Sequence, residues 1–498
     1  MTVAVAYGRA QLGIDAPLVA VEVYLAGGLP KFSIVGLPQT AVRESKDRVR
    51  AALMSSGFDW PQRNIIVSLR PADMPKSGGR FDLAIALAIL AAARELPKET
   101  LARYEYYGEL SLDGDIRGVP GLLPASLQAA KAARAVVVAS DNRAEATLAG
   151  AEVLVADSLL QVIAHLNGTQ RIECAHHCEP DNEAPEQPDL AEVRGQGLAK
   201  RALEIAAAGG HNVLLMGPPG TGKSMLARRL PGILPAMNRD EALATSAVES
   251  VLGRSLDMKS WRVRPFRAPH HTASAAALVG GGSPPSPGEV SRSHNGVLFL
   301  DELPEFKRHV LEVLREPIET GVITISRAAG SADFPARFQL VAAMNPCPCG
   351  YLGDPDGACN CSRDKVQNYR SRISGPLLDR IDLHLEVNRP PPELMRPNAP
   401  PGESSKDVRQ RVLQARDIQL QRAGIINAHL EGKAIDRFCT PEAAAWQLLE
   451  RAMKKTALSA RALLRIRRVA RTIADLAGEA SVKKNHIAEA IQLRCLDR

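Results

Sequence analysis

Gly217, Pro218, Pro219, Gly220, Thr221, Gly222, Lys223 and Ser224 form a glycine-rich turn between an apolar run at 212–216 and a helix-forming stretch at 225–230. A strand feeding such a turn into a helix suits one chemistry, the binding of a nucleoside triphosphate. The glycines let backbone N–H groups wrap phosphate oxygens, and the helix N-terminus adds positive partial charge. Lys223 is expected to reach the β- and γ-phosphates and Ser224 to ligate Mg²⁺. About 75 residues on, a second apolar run ends in Asp301 and Glu302. A buried strand ending in two acids brings carboxylates to the C-terminal edge of a sheet, beside the phosphate loop. There Asp301 would hold the ion and Glu302 would polarise the attacking water.

Two further groups fit phosphoryl transfer. Asn345 lies just past an apolar run at 338–343, placed to orient the water or sense the γ-phosphate. Arg380, within 375–382 (GPLLDRID), offers a fixed cation for charge developing in the transition state. The alternative for Arg380 is a local ion pair with Asp379 or Asp382. Four cysteines follow Asn345 closely, as Cys347-Pro-Cys349 and Cys359-Asn-Cys361. Four thiolates suit structural Zn²⁺, the alternative being a reduced loop whose thiols only pack. Cys174-Ala-His-His-Cys178 has ligand types too, but lies in a stretch read as a linker.

The elements that must position these groups fall into three units. Acidic, Pro-containing residues 174–190 and Pro-rich residues 389–405 read as linkers. They separate a domain at 1–173, a core at 191–388 and a helical unit at 406–498. The first is α+β, with strands expected at 18–24, 32–35 and 64–69 and helices at 40–56 and 81–93. The second alternates strands (213–216, 297–300, 338–343) with helices, which implies a parallel sheet and an α/β class. The third has helical apolar spacing throughout, as at 443–453 and 458–476.

Residues 267–293 include GGGSPPSPG at 280–288 and read as a loop, because so many Gly and Pro residues resist packing. Runs at 322–326 and 334–340 flank RAAG at 327–330, the pattern of a β-hairpin with a basic tip. Arg327 and Lys307 are candidates for sequence-independent phosphate contacts with DNA, or these loops only pack against a neighbouring subunit. The chain of 498 residues carries a formal charge of +7. Residues 406–498 hold 19 Lys or Arg against 10 Asp or Glu, a basic excess that suits a polyanion partner or a solvated helical surface. No run of eighteen apolar residues occurs and the first residues lack a signal pattern, so no membrane span is expected and the cytoplasm is the expected location.

With strand, phosphate loop, acidic strand, Asn and Arg in this order, the core resembles an AAA+ ATPase. Longer stretches narrow the likeness: 264–274 (RPFRAPHHTAS), 294–306 (HNGVLFLDELPEF), 345–350 (NPCPCG), 372–382 (RISGPLLDRID), and 36–38 with 41–45 near the start. They resemble the ComM (YifB) family of magnesium-chelatase-like AAA+ proteins over nearly the whole chain. That resemblance implies that Lys223 and Ser224 serve as Walker A, Asp301 and Glu302 as Walker B, and Asn345 as sensor 1. It makes Arg380 an arginine finger acting on a neighbouring subunit, and brings Arg461, in 459–461, to the γ-phosphate from a helical lid. It further implies a homohexamer that hydrolyses ATP with Mg²⁺. The activity implied is that of a helicase driving DNA branch migration in natural transformation.

The first domain resembles the Lon-protease-type (S5 domain 2-like) fold. In 75–82 (PKSGGRFD) the place of the nucleophile falls on Arg80, with Ser77 ahead of the glycines, so proteolysis is not expected. A chelatase motor and a protein-remodelling machine remain as rivals to the DNA motor. The first would not need the Lon-like domain, and the second is weakened by Arg80. A DNA-binding module without motor activity would not need the full set of ATPase residues.

Overall fold

The computed structural model describes residues 3–176, 186–327, 330–354, 357, 359–396, 402–456, 459–494 and 496. Residues 3–175 build a mixed eight-stranded sheet, in the order 174–175, 153–155, 135–138, 104–106, 3–9, 18–26, 64–70, 31–35. In the strand Leu18–Ala26 the residues Val19, Val21, Val23 and Leu25 are buried in strict alternation, the period of a strand with one covered face. The cover is the helix Asp82–Ala93, buried from Asp82 to Ala92, as expected of a helix that is apolar all round. Cys174 and Ala175, placed in the linker by composition, instead pair with the strand Val153–Val155. Residues 177–185, with Cys178, lie outside the described residues.

Arg80 is only 3% exposed, and its guanidinium donates to the carbonyls of Pro120 at 2.8 Å and Gly121 at 3.3 Å. Arg80 is thus a buried cation bonded to the adjacent carbonyls of one loop.

The central sheet has five parallel strands, in the order Phe266–Arg267, Val297–Leu300, Gln339–Met344, Val213–Met216, Leu383–Glu386. Its three inner strands are buried on both faces, as parallel strands covered by helices must be. Two of the five, the short Phe266–Arg267 and the edge strand Leu383–Glu386, go beyond the three expected from the sequence. The C-terminal helices close over the helices Gly197–Gly209 and Lys223–Ile233 in one core that includes Leu203, Leu230, Val412, Ile466 and Ile473. Asp189 and Ser405, at the ends of the two stretches read as linkers, bond each other. Ser405 N donates to Asp189 Oδ1 at 2.8 Å, and Leu190 N donates to Ser405 Oγ at 2.7 Å.

Two expectations are corrected. Residues 267–293 are not an unpacked loop: helices Ala275–Val279 and Glu289–Arg292 flank a short hairpin, with Leu278 and Val290 fully buried. Glycine serves here for close approach. A Cβ on Gly288 would lie 2.5 Å from the backbone of Gly280 and of Leu278, and one on Gly280 2.4 Å from the carbonyl of Ser286. The β-hairpin exists, but its strands are Val322–Arg327 and Gly330–Pro335, so the return strand ends before the expected 334–340. Phe334 belongs to the hairpin and Gln339 already begins the core strand. Hairpin and insertion share a cluster through Ile323, Ile325, Leu278 and Val290. Residues 328–329 at the tip lie outside the described residues.

The N-terminal unit is fastened to the core through the helix Arg239–Val251. Leu123 and Leu148 pack with Met237, Ala242 and Trp261 in a shared apolar cluster. Ser250 Oγ donates to Glu145 Oε2 at 2.6 Å and accepts from Leu123 N at 3.2 Å, while Gly121 N donates to the Ser250 carbonyl at 2.7 Å. Burial raises the Glu145 carboxyl pKa above its usual range, and the bonds from Ser250 and Asn142 oppose it. Ser250→Ala leaves this carboxylate and an amide short of a partner. It is expected to lower stability by about 1–3 kcal/mol in urea unfolding followed by Trp fluorescence.

Candidate functional site

Parallel pairing decides where the site forms. Register places Met216 beside Met344, and Leu300 beside Ala342, so the three strands release the chain at one edge of the sheet. Gly217, Asp301 and Asn345 are the first residues past those ends. The Gly217 amide still donates to the Met344 carbonyl at 3.2 Å, which fixes the start of the loop. Gly220 and Gly222 then take positive φ of 77° and 89°, conformations that open the turn into the helix Lys223–Ile233.

Within the turn, Lys223 Nζ donates to the carbonyls of Gly217 at 2.7 Å and Pro218 at 2.8 Å, and to Asn345 Oδ1 at 3.2 Å. Burial lowers the Lys223 pKa below the usual lysine range, while Asp301 and Glu302 act against that shift. Ser224 Oγ donates to Asp301 Oδ2 at 2.6 Å, and the Glu302 amide to Asp301 Oδ1 at 2.9 Å. The hydroxyl and carboxylate expected to share Mg²⁺ thus meet across 77 residues of sequence. Thr221 is buried, its Oγ1 bonded to the Pro218 carbonyl at 3.0 Å, which stiffens the loop from inside.

Glu302 adopts φ 52°. This left-handed backbone is uncommon outside glycine and turns its half-exposed carboxylate out of the strand line. Its partner is a residue with no expected role: His271 Nδ1 lies 3.1 Å from Glu302 Oε2, and the His270 and His271 ring centroids are 4.1 Å apart. The histidine doublet stands in the stretch 264–274, but nothing in its spacing points to a residue 31 positions ahead.

Arg380 is 5% exposed, with Nη2 2.6 Å from Glu319 Oε1 and Nη1 donating to the Pro376 carbonyl at 2.6 Å. Neither local pairing weighed from sequence forms. Asp382 is taken by Arg465 at 2.5 Å and by the Asn212 amide at 2.9 Å. Against the penalty of burial, Arg465 and His211 hold the Asp382 carboxyl well below its usual range. Arg461 sits in the first turn of the helix Ala460–Leu476, exposed, one turn ahead of Arg465. The site therefore unites Lys223, Ser224, Asp301, Glu302 and Asn345, while the contacts of Arg380 run to Glu319 and Pro376.

The four cysteines do converge. Cys347 Sγ lies 3.3 Å from Cys349 Sγ and 3.7 Å from Cys359 Sγ, Cys349 and Cys359 are 3.6 Å apart, and all four sulfurs fall within 4.8 Å of one another. A hydrogen bond from the Tyr351 amide, with help from Cys347, lowers the Cys349 thiol to about 6.

Part of the basic excess of residues 406–498 is engaged in internal contacts. Arg409 bonds the Gly232 carbonyl and Arg416 that of Ala207. Arg411 pairs with Glu204 and Glu403, Arg422 and Arg471 with Asp475, Arg465 with Asp382, and Arg467 with Asp436. These arginines hold the helical unit to the core and to itself, so net charge alone overstates the surface left for a polyanion. Lys307 is exposed, and the side chain of Arg327 lies outside the described residues. Among the described residues no helix is long and apolar enough to cross a membrane.

Three family matches follow the same order along the chain. Magnesium chelatase subunit ChlI matches residues 189–395, subunit ChlI of Mg-chelatase residues 21–142, and the ChlI C-terminal family residues 402–494. Two relatives match end to end. Competence protein ComM of Haemophilus influenzae is 48% identical over 504 residues, covering 100% of this chain and 98% of its own. The uncharacterized protein YifB of Escherichia coli is 47% identical over 500 residues with the same coverage. The chain belongs to the ComM/YifB family of magnesium-chelatase-like AAA+ proteins. Likeness to chelatase subunits themselves is partial: the 38 kDa subunit of Cereibacter sphaeroides is 25% identical over 220 residues, 40% of this chain and 58% of its own. As a ComM/YifB-family protein it is an AAA+ ATPase, and the residues at the sheet edge fit ATP with Mg²⁺.

Lys223→Ala is expected to abolish nucleotide binding in a fluorescent-nucleotide titration, because the phosphates lose the cation held inside the loop. Glu302→Gln is expected to bind ATP yet hydrolyse it at least about a hundredfold more slowly. Turnover by Glu302→Gln at the parental rate would overturn the assignment of the base.

Proposed function

We propose that this chain is the subunit of a homohexameric, ATP-driven DNA motor that migrates branched recombination intermediates in natural transformation. The observation carrying the motor reading is the meeting of Ser224 with Asp301 and of Lys223 with Asn345 at one sheet edge. The printed name of the Haemophilus relative, a competence protein matched end to end, supports the DNA and transformation part.

In this reading the loop amides of residues 217–224 and Lys223 bind the phosphates, and Ser224 and Asp301 hold Mg²⁺. Glu302 takes the proton of the attacking water, which Asn345 orients. Arg380 leaves Glu319 to reach the nucleotide of the adjacent subunit, and Arg461 comes to the γ-phosphate as the lid 406–498 closes. The Lon-like unit 1–173 assembles the ring or holds a partner, and the core 191–388 does the work. The insertion 267–293 and the hairpin, sharing one cluster, act together on DNA, with Arg327 and Lys307 meeting phosphates without reading bases. The four cysteines hold Zn²⁺.

Arg380→Ala is expected to keep ATP binding near normal and lose most hydrolysis. Mixing it with Lys223→Ala should restore some activity at hybrid interfaces, and intact rings with no rescue at any ratio would count against action in trans. For DNA, ATPase should rise with single-stranded or branched DNA, and binding should weaken steeply with salt as counterions are released. Arg327→Ala should reduce the stimulation and spare the basal rate. A ring that neither binds DNA at low salt nor changes its ATPase rate with any DNA form would sink this function. The chelatase-like or protein-remodelling readings would then take its place.

A further inference from the structure

We infer that the Zn²⁺ ion at Cys347, Cys349, Cys359 and Cys361 works as a clamp that seats the segment carrying Asn345 on the phosphate loop, and so governs hydrolysis. This rests on the reading of residues 217–224 as the ATP site and of Asn345 as the residue that orients water.

The sulfur geometry selects the ligand class. A disulfide needs a separation near 2.05 Å, and the shortest here is 3.3 Å. Four thiolates around one tetrahedral Zn²⁺, each at about 2.3 Å, lie about 3.8 Å apart. The separations of 3.3, 3.6 and 3.7 Å fit that figure. A polynuclear iron–sulfur cluster would spread its thiolates around several metal atoms, farther than the 4.8 Å limit seen here. Four thiolates with one divalent ion carry a net charge of −2, and Arg363 and Arg370 line the groove beside Cys361 to offset it. The site has no open position and no exchangeable ligand, the pattern of a structural rather than a catalytic zinc.

What the ion would hold is also visible. Asn345 stands two residues before Cys347, and its Oδ1 accepts from Lys223. The Gly350 amide closes the first cysteine turn on the Cys347 carbonyl at 3.0 Å. Gly350 has φ +89°, and a Cβ added there would lie 2.8 Å from the ring of Pro219, so the cysteine turn rests directly on the phosphate loop. Arg370 Nε adds a bond to the Pro346 carbonyl at 3.1 Å from the other side. One ion thus joins the far arm, Cys359 and Cys361, to a turn pressed between the loop and Asn345.

The test begins with protein purified without a histidine tag and analysed for metals by mass spectrometry. About one zinc per chain is expected, and Cys359→Ser/Cys361→Ser should lose it. Metal-free parental protein, or iron in place of zinc, overturns the assignment of the site. Loss of the ion is expected to lower ATP turnover about tenfold or more while ADP affinity changes less than about twofold, because Lys223 stays held by the Gly217 and Pro218 carbonyls when Asn345 shifts. If ADP affinity falls with turnover, the ion is a general fold staple and the clamp is refuted. Should the double variant not fold, zinc is stripped from the parental ring by chelator and restored, with the same readouts. Asn345→Ala with zinc retained should reproduce the turnover loss. Normal turnover there would put the fault in the role given to Asn345 and leave the zinc stoichiometry standing, which separates the two failures.

Discussion

The structure turns on the parallel pairing of the strand Val213–Met216 between Gln339–Met344 and Leu383–Glu386. Parallel strands end at one side of a sheet, so loops far apart in sequence are released together there. Everything the nucleotide site needs is a consequence: the phosphate loop follows one strand, Asp301 another, Asn345 a third. Shifting the register of any one of them by a single residue would turn a carboxylate or an amide away from Lys223.

The edge strand Leu383–Glu386 does a second job at its opposite end. Asp382, just before it, is tied to Arg465 of the C-terminal helices and to the Asn212 amide ahead of the phosphate-loop strand. Arg494 adds bonds to the carbonyls of Ile381 and Asp382. The base of the sheet is thereby locked to the helical unit. The exposed Arg461 belongs to the same helix, one turn ahead of Arg465.

Local pattern carried much of this in the sequence. The loop Gly217 to Ser224, the acidic strand end and the helix Asp82–Ala93 were legible because each rests on contiguous residues with one period or one turn chemistry. The cysteine convergence was legible from two short arms. Three features were not. Residues 267–293 read as a loop because Gly and Pro usually mean an open chain, whereas Gly280 and Gly288 allow two backbones to touch around Leu278 and Val290. The strand Leu383–Glu386 alternates two leucines with His384 and Glu386, so it lacks the continuous apolar run that marked Val213–Met216 and Val297–Leu300. His271 meets Glu302, and Glu319 meets Arg380, by folding alone, since no spacing in the chain announces either pair. The basic excess of residues 406–498 is legible only as a count, which cannot tell an arginine that faces solvent from one already bound to Asp475 or to a helix-end carbonyl.

The helix Arg239–Val251 bears on two units with neighbouring residues. Ser250 holds the N-terminal unit through Glu145, and Glu249 pairs with Arg292 of the insertion at 2.9 Å. The insertion and the N-terminal unit therefore share this helix, and Gly13 and Ile14 of the N-terminal unit also meet the hairpin directly. The same joint makes amputation a poor probe of that unit. Removing residues 1–173 would strip Met237, Ala242 and Trp261 of their cover, and the stump would present a greasy scar where the intact protein has a seam.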